Sequence, residues 1–291
     1  MKLLKEKIIG FLKVIRIELC LFGTIGFFVS GILAGDLNGF KVEYLLGFLI
    51  IFLSEAGSFA INDYIDYEID KNNKRSDRPL ISGLLTRKTA LITAVVMLLI
   101  NLVLVLFLNI VALILALVSI PIFYIYSLGL KKMILVKNIL IAYSYTGTII
   151  FGSLVTDAIL EPIIIYFALM GFIVGLGSEI MFDIADVEGD KDLGINTIPH
   201  KFGLKSAASI SAVCYLIIII MDPLPFFILI DSRLYFDPLF LILILIPVIS
   251  YAFLSISLLK NQTKENTLKL RKLIFVIMQV GVLSYLIGVL V

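Results

Sequence analysis

Apolar positions in this chain come in long runs, and the polar and charged positions collect in the short segments between them. A hydrocarbon layer about 30 Å thick is crossed by roughly 20 apolar helical residues, so each run of that length predicts one membrane-spanning helix. Nine such runs occur, at approximately 14–35, 43–66, 88–108, 110–128, 136–156, 161–186, 203–221, 237–259 and 271–290. A further apolar stretch at 224–230 is too short to cross and is read as interfacial. The expected fold class is all-α, a polytopic membrane protein with nine transmembrane helices.

Composition agrees with the pattern. Of 291 residues, 60% are hydrophobic and 16% charged, and the mean hydropathy is +1.10. An ordinary soluble domain is less apolar and more charged. The cations are distributed unevenly: 22 of the 24 Lys and Arg fall in the N-terminal tail and in 67–88, 129–137, 187–205 and 260–272, leaving Lys41 and Arg233 on the opposite side. Under the positive-inside bias this predicts a multi-pass protein of the cell membrane with its N-terminus in the cytoplasm and its C-terminus outside. Lys2, Lys5, Lys7, Lys13 and Arg16 precede the first run, and no small-residue cleavage pattern ends it, so that run is expected to be retained as a helix. Cys20 and Cys214 lie in different runs with no CxxC and no neighbouring His, which points to packing rather than to a disulfide or zinc site.

The chain also repeats itself. At an offset of 120 residues, Asp63, Asp66, Asp70, Lys71, Pro79, Gly83 and Leu84 fall on Asp183, Asp186, Asp190, Lys191, Pro199, Gly203 and Leu204. In each copy an apolar helix ends in D-x-x-D-x-x-x-D-K, passes through a polar loop with a Pro and then a Gly, and enters the next apolar run. These shared residues within 22 positions, in one element order, predict two related halves, roughly 40–130 and 160–260, within a single membrane-embedded domain spanning 1–291.

On a continuous helix Asp63, Asp66 and Asp70 stand within about 60° of arc, and so do Asp183, Asp186 and Asp190. Asn62 adds an amide oxygen to the edge of the first stripe, and Glu179 extends the second. Carboxylates near a helix C-terminus face the negative end of the dipole and repel one another, and each acid placed in a membrane costs about 2.5–3.5 kcal/mol. Six of them therefore call for a cationic partner. An all-oxygen set of carboxylates with an Asn carbonyl suits a hard divalent ion, Mg²⁺ before Ca²⁺, particularly when phosphate completes the coordination.

The loop after the first stripe contains Lys71, Lys74, Arg75 and Arg78 ahead of Pro79. These cations serve membrane topology, and beside a carboxylate–metal site they also match a diphosphate. Arg78 is the preferred diphosphate ligand because Pro79 stiffens its setting; Lys74, Arg75 and, in the second loop, Lys191 are further candidates, and Lys131, following Tyr126, is placed to close a pocket or to anchor the next helix. His200 is the only histidine, which excludes a catalytic or haem-binding His pair, and no P-loop or dinucleotide fingerprint appears. No nucleic-acid partner is expected. Gly23, Gly26, Ser30 and Gly31, and Gly171, Gly175 and Gly177, predict close helix contacts.

At this point the residues resemble a known family, the UbiA-type intramembrane prenyltransferases, over nearly the whole chain. Asn62-Asp63-x-x-Asp66-x-x-x-Asp70 is similar to its first motif and Asp183-x-x-Asp186-x-x-x-Asp190 to its second. The resemblance implies helices around a central cavity, two Mg²⁺ ions held by Asn62, Asp66, Asp70, Asp183, Asp186 and Asp190, an isoprenyl diphosphate clamped by them, a lateral opening to lipid, and an active site toward the cytoplasmic face. Tyr126 and Lys131 have four residues between them where the family's Tyr-x-x-x-Lys element has three. Within the family, NDYIDYEIDK, RSDRPLISG and DIADVEGDK are most similar to the archaeal ether-lipid branch. That likeness implies transfer of a geranylgeranyl group from geranylgeranyl diphosphate to the free hydroxyl of geranylgeranylglyceryl phosphate, with release of diphosphate. It also places Arg16 at the lipid-like acceptor, although Ile17 and Leu19 replace the Pro and Asn that follow this Arg there, and Ser178 stands where a basic residue is expected. Two other readings stay open here: an aromatic acceptor, as in quinone biosynthesis, whose acid group would also satisfy Arg16, and a cation-coupled transporter, since paired repeats with intramembrane acids also describe carriers.

Overall fold

A computed structural model of the chain describes residues 2–36, 39, 41–72, 75–130, 133–192 and 194–291. Among them every long element is a helix: α1 (Lys2–Val14), α2 (Ile17–Ala34), α3 (Val42–Ile65), α4 (Tyr67–Asn72), α5 (Arg87–Leu104), α6 (Ile110–Leu128), α7 (Val136–Asp157), α8 (Pro162–Asp192), α9 (Ile198–Phe202), α10 (Leu204–Met221), α11 (Leu224–Phe227), α12 (Pro238–Lys260) and α13 (Lys264–Leu290). Eight of these segments are long and apolar enough to cross a membrane, and α6 is a further apolar helix. Each of the nine runs thus becomes one long helix, and the interfacial stretch at 224–230 becomes the single turn α11.

Three departures from the sequence reading are instructive. The N-terminal tail forms its own helix, α1, and the chain breaks at Arg16, whose φ of 49° lies in the left-handed region disfavoured for residues with a Cβ. The first aspartate stripe is not on one continuous helix, because α3 ends at Ile65 and α4 begins at Tyr67, with Asp66 between them at φ −79° and ψ 0°. Finally, α13 starts at Lys264 rather than 271, since Thr263 caps it by accepting a hydrogen bond from Asn266 N and the charged turn that follows is helical.

The chain divides into two compact units. The first comprises Met1–Phe28, Leu37–Leu130 and Phe151–Ile159, and the second Val29–Asp36, Lys131–Ile150 and Leu160–Val291. In the first, α3 packs on α5 and α6. Asn101 on α5 is fully buried and donates to Ile50 O at 3.1 Å and Ser54 Oγ at 2.6 Å on α3, the kind of interhelical hydrogen bond a membrane interior favours. Gly57 gives room for the Tyr124 hydroxyl, which donates to Ala94 O at 3.2 Å and so links α6 to α5 across α3.

In the second unit α8 packs on α10 and α13, and α12 on both of those helices. Small residues set the approach. A Cβ at Gly177 would lie 2.7 Å from Cys214 Cβ on α10, and one at Gly175 would lie 3.2 Å from Ala142 Cα on α7. The fully buried Tyr215 stacks on Tyr251 with ring centroids 5.7 Å apart. Helix α8 is 31 residues long, about 46 Å at the α-helical rise, against a hydrocarbon core about 30 Å thick. Its aspartates occupy the far end of that length, beyond the thickness one span needs.

Candidate active site in two halves

The first motif is built within the first unit. Asp63 occupies the last turn of α3, and its carboxylate is only 1% exposed. Its Oδ1 accepts from Arg16 Nη2 at 2.9 Å and from Arg78 Nη1 at 3.1 Å, while Oδ2 is buried without a hydrogen-bond partner among the described residues. Arg78 also lies 3.5 Å from Asp70 Oδ2 through Nε, so one guanidinium spans the first and third aspartates of the motif. Arg16 is oriented from the other side by Phe59, whose ring centroid is 4.6 Å from the guanidinium carbon. Burial pulls the Arg16 pKa below its ordinary value, opposed by the Asp63 charge. Burial likewise pushes Asp70 up, with Arg78 pulling it back. The break at Asp66 restarts the helix so that Asp70 N still bonds Asp66 O at 2.8 Å.

The second motif is built within the second unit, on uninterrupted helix. Asp183 is 1% exposed; its Oδ1 is 2.6 Å from Lys137 Nζ and its Oδ2 accepts from Asn138 Nδ2 at 2.9 Å. Lys137 also reaches Asp190 Oδ2 at 3.4 Å. Here too, one cation spans the first and third aspartates. The middle aspartate, Asp186, is exposed and pairs with Arg271 at 3.3 Å, and the Arg271 guanidinium lies 4.4 Å above the Phe182 ring.

Among the other expected site residues, Arg75 is exposed and makes a two-point contact with Asp77 at 2.9 and 2.8 Å. That hydrogen bonding holds the Asp77 carboxyl down to about 2. Lys191 is exposed near the end of α8 and His200 is exposed on α9. Lys74 and Lys131 lie outside the described residues. Sequence reasoning missed Lys137, Asn138 and Arg271. A signal existed for Lys137: Arg16 precedes Asp63 by 47 residues and Lys137 precedes Asp183 by 46, so a cation stands at a similar distance ahead of the first aspartate of each motif.

The donor set fits a hard divalent cation. Both motifs offer carboxylate oxygens, the first adds the Asn62 amide, and neither contains a thiol or imidazole. The cations already seated on the aspartates show that each half-site stabilises positive charge.

Comparison with known proteins extends this picture. A family model described as the UbiA prenyltransferase family matches residues 21–278. The chain is 30% identical over 265 residues to the digeranylgeranylglyceryl phosphate synthase of Archaeoglobus fulgidus, covering 91% of this chain and 88% of that one. It is similar to a solved structure reported under the heading of digeranylgeranylglyceryl phosphate synthase in membranes, with TM-score 0.80, 30% identity and coverage of 98% and 99% of the two chains. It shares its fold with a homolog from Archaeoglobus fulgidus bound to DMAPP and Mg²⁺, with TM-score 0.65, 17% identity and coverage of 96% and 99%.

Proposed function

The chain belongs to the UbiA prenyltransferase family, and on that premise we propose that it transfers a geranylgeranyl group from geranylgeranyl diphosphate to the free hydroxyl of geranylgeranylglyceryl phosphate, releasing diphosphate. The observation that carries prenyl transfer is the repeated one: in a membrane chain, each half ties the first and third aspartates of its motif to one cation. The choice of acceptor rests on the similarity to digeranylgeranylglyceryl phosphate synthases over most of the chain.

In this reading Asn62, Asp66, Asp70, Asp183, Asp186 and Asp190 hold Mg²⁺, the ion bound by the similar homolog. The ion would supply Lewis-acid neutralisation of the leaving diphosphate. Arg78, with Lys74, Arg75, Lys131 and Lys191, binds the diphosphate oxygens and offsets the charge that builds on them. The C1–O bond to diphosphate breaks with its electron pair going to the leaving group; the acceptor oxygen then bonds to C1 and releases its proton. The apolar helices keep water from the allylic cation, so attack by the acceptor competes with hydrolysis. Arg16, anchored by Asp63 and Phe59, orients the acceptor phosphate. By the positive-inside bias, the N-terminus and both motifs face the cytoplasm.

The test offers the purified protein, with Mg²⁺ and labelled geranylgeranyl diphosphate, either geranylgeranylglyceryl phosphate or a set of aromatic acids. Labelled ether product from the glyceryl phosphate alone is expected. Product formed only on an aromatic acid would retain prenyl transfer and overturn the acceptor.

A further inference from the structure

Lys137 belongs to neither acidic motif and to no loop with a cation cluster of the Lys71–Arg78 kind, yet its ammonium sits on the second motif. It rises from the first turn of α7, is 17% exposed, and lies 2.6 Å from Asp183 Oδ1 and 3.4 Å from Asp190 Oδ2. The neighbouring Asn138, 1% exposed, completes the other oxygen of Asp183. Both oxygens of Asp183 therefore have protein donors, and Lys137 is one of them.

In the first half the corresponding bridge between first and third aspartates is made by Arg78, from the loop 15 residues after Asp63. The 120-residue offset carries Arg78 onto Ile198, which is 5% exposed and has no charge to give. The second half thus lacks a loop cation at the equivalent position and receives one from the preceding long helix instead. Chemistry distinguishes the two bridges. An ammonium has three donors on a flexible stem, and two of them face the aspartates, so one remains for a further oxygen.

We infer that Lys137 is the diphosphate-binding cation of the second half, taking the part that Arg78 plays in the first, with Asp183, Asp190 and Asn138 as the residues that position it. This rests on the prenyl-transfer reading. A phosphate oxygen entering beside Asp183 meets a preorganised positive charge, and removing that charge leaves two carboxylates repelling the incoming anion.

The test uses the full chain in lipid nanodiscs, as wild type, Lys137→Met and Lys137→Arg, with Lys137→Gln as a neutral variant that keeps a donor toward Asp183 if the Met variant does not fold. Initial rates are measured against prenyl diphosphate and, separately, against acceptor. The expected result is a KM for prenyl diphosphate raised about tenfold or more in the neutral variants, an acceptor KM within about twofold of wild type, and recovery in Lys137→Arg. A second readout needs no turnover: in EDTA, inorganic diphosphate raises the melting temperature of wild type and Lys137→Arg but not of the neutral variants. A neutral variant that melts lower but keeps the wild-type diphosphate KM and the wild-type shift with inorganic diphosphate would overturn the inference, leaving Lys137 a structural ion pair. Should wild type transfer no prenyl group, the prenyl-transfer reading fails by itself, and the melting shift still decides whether Lys137 binds diphosphate.

Discussion

Substituting Asp63 by Asn tests the energetic core of the first half-site. The side chain is nearly isosteric and keeps an oxygen for hydrogen bonding, but the charge facing two guanidinium groups is lost. Breaking a buried ion pair by neutralising one partner costs about 3–5 kcal/mol, because the other charge stays buried without compensation. Asp63 is 1% exposed, while Arg16 and Arg78 are 25% and 22% exposed, so water re-solvates the two cations in part and the lower end, about 3 kcal/mol, applies. For a chain of this size that corresponds to a melting temperature lower by about 5–10 °C. Thermal unfolding in lipid nanodiscs with EDTA present measures this without a contribution from bound metal. A double-mutant cycle sharpens it: Arg16→Met should cost about 1–2 kcal/mol less in the Asp63→Asn background than in wild type, since its partner is already neutral. A melting temperature within about 1 °C of wild type, with additive effects in the cycle, would show instead that Asp63 does not sustain these cations.

Other outcomes follow from local packing and charge. Gly177→Ala should destabilise by about 1–3 kcal/mol, because its Cβ would meet Cys214 Cβ at 2.7 Å, whereas Gly189→Ala on the same helix, with nothing within 4 Å, should stabilise by about 0.5–1 kcal/mol; comparative melting of the two variants checks both. Asn101→Leu removes the two donations from α5 to α3 and should cost about 0.6–1.7 kcal/mol in the same measurement. For Asp77 the sign is set by a folded pKa of about 2, below the ordinary 3.8: its pairing with Arg75 is fully present above 3.8 and is lost only as pH falls through 2. Since both partners are largely exposed, Asp77→Asn should change stability by no more than about 0.5 kcal/mol, with no pH dependence between about 5 and 8 in a melting series.

The long helices were legible because the bilayer imposes one length on every span, and nothing else in an apolar run of that size competes with a helix. The helix breaks were not. Arg16 adopts a left-handed backbone so that its guanidinium meets Asp63, and Asp66 interrupts α3 at the acidic stripe; both are tertiary effects that hydrophobic periodicity does not carry. The aspartates of the candidate site were legible from the repeat, and the contacts each of them makes were not. Asp63 and Asp183 look like their neighbours in sequence, yet each is buried and paired with a cation, while Asp186 is exposed. Lys137 was hidden by its double meaning, since a lysine at the start of a span satisfies the positive-inside bias whether or not it also reaches an aspartate on the next long helix, 46 residues away. Arg271 was hidden in the same way, at the start of the last apolar run, and it pairs with Asp186.

Whether both acidic half-sites serve one metal-dependent prenyl transfer is decided by a single product assay. Wild-type protein, Asp66→Asn and Asp186→Asn are incubated with labelled geranylgeranyl diphosphate and geranylgeranylglyceryl phosphate, with Mg²⁺ or with EDTA, and ether product and released diphosphate are quantified together. Wild type with Mg²⁺ should give equal amounts of product and diphosphate, wild type with EDTA none, and each variant a loss of at least about 100-fold. Full transfer in EDTA, or wild-type rates in either variant, would mean that the two half-sites do not act together through a metal.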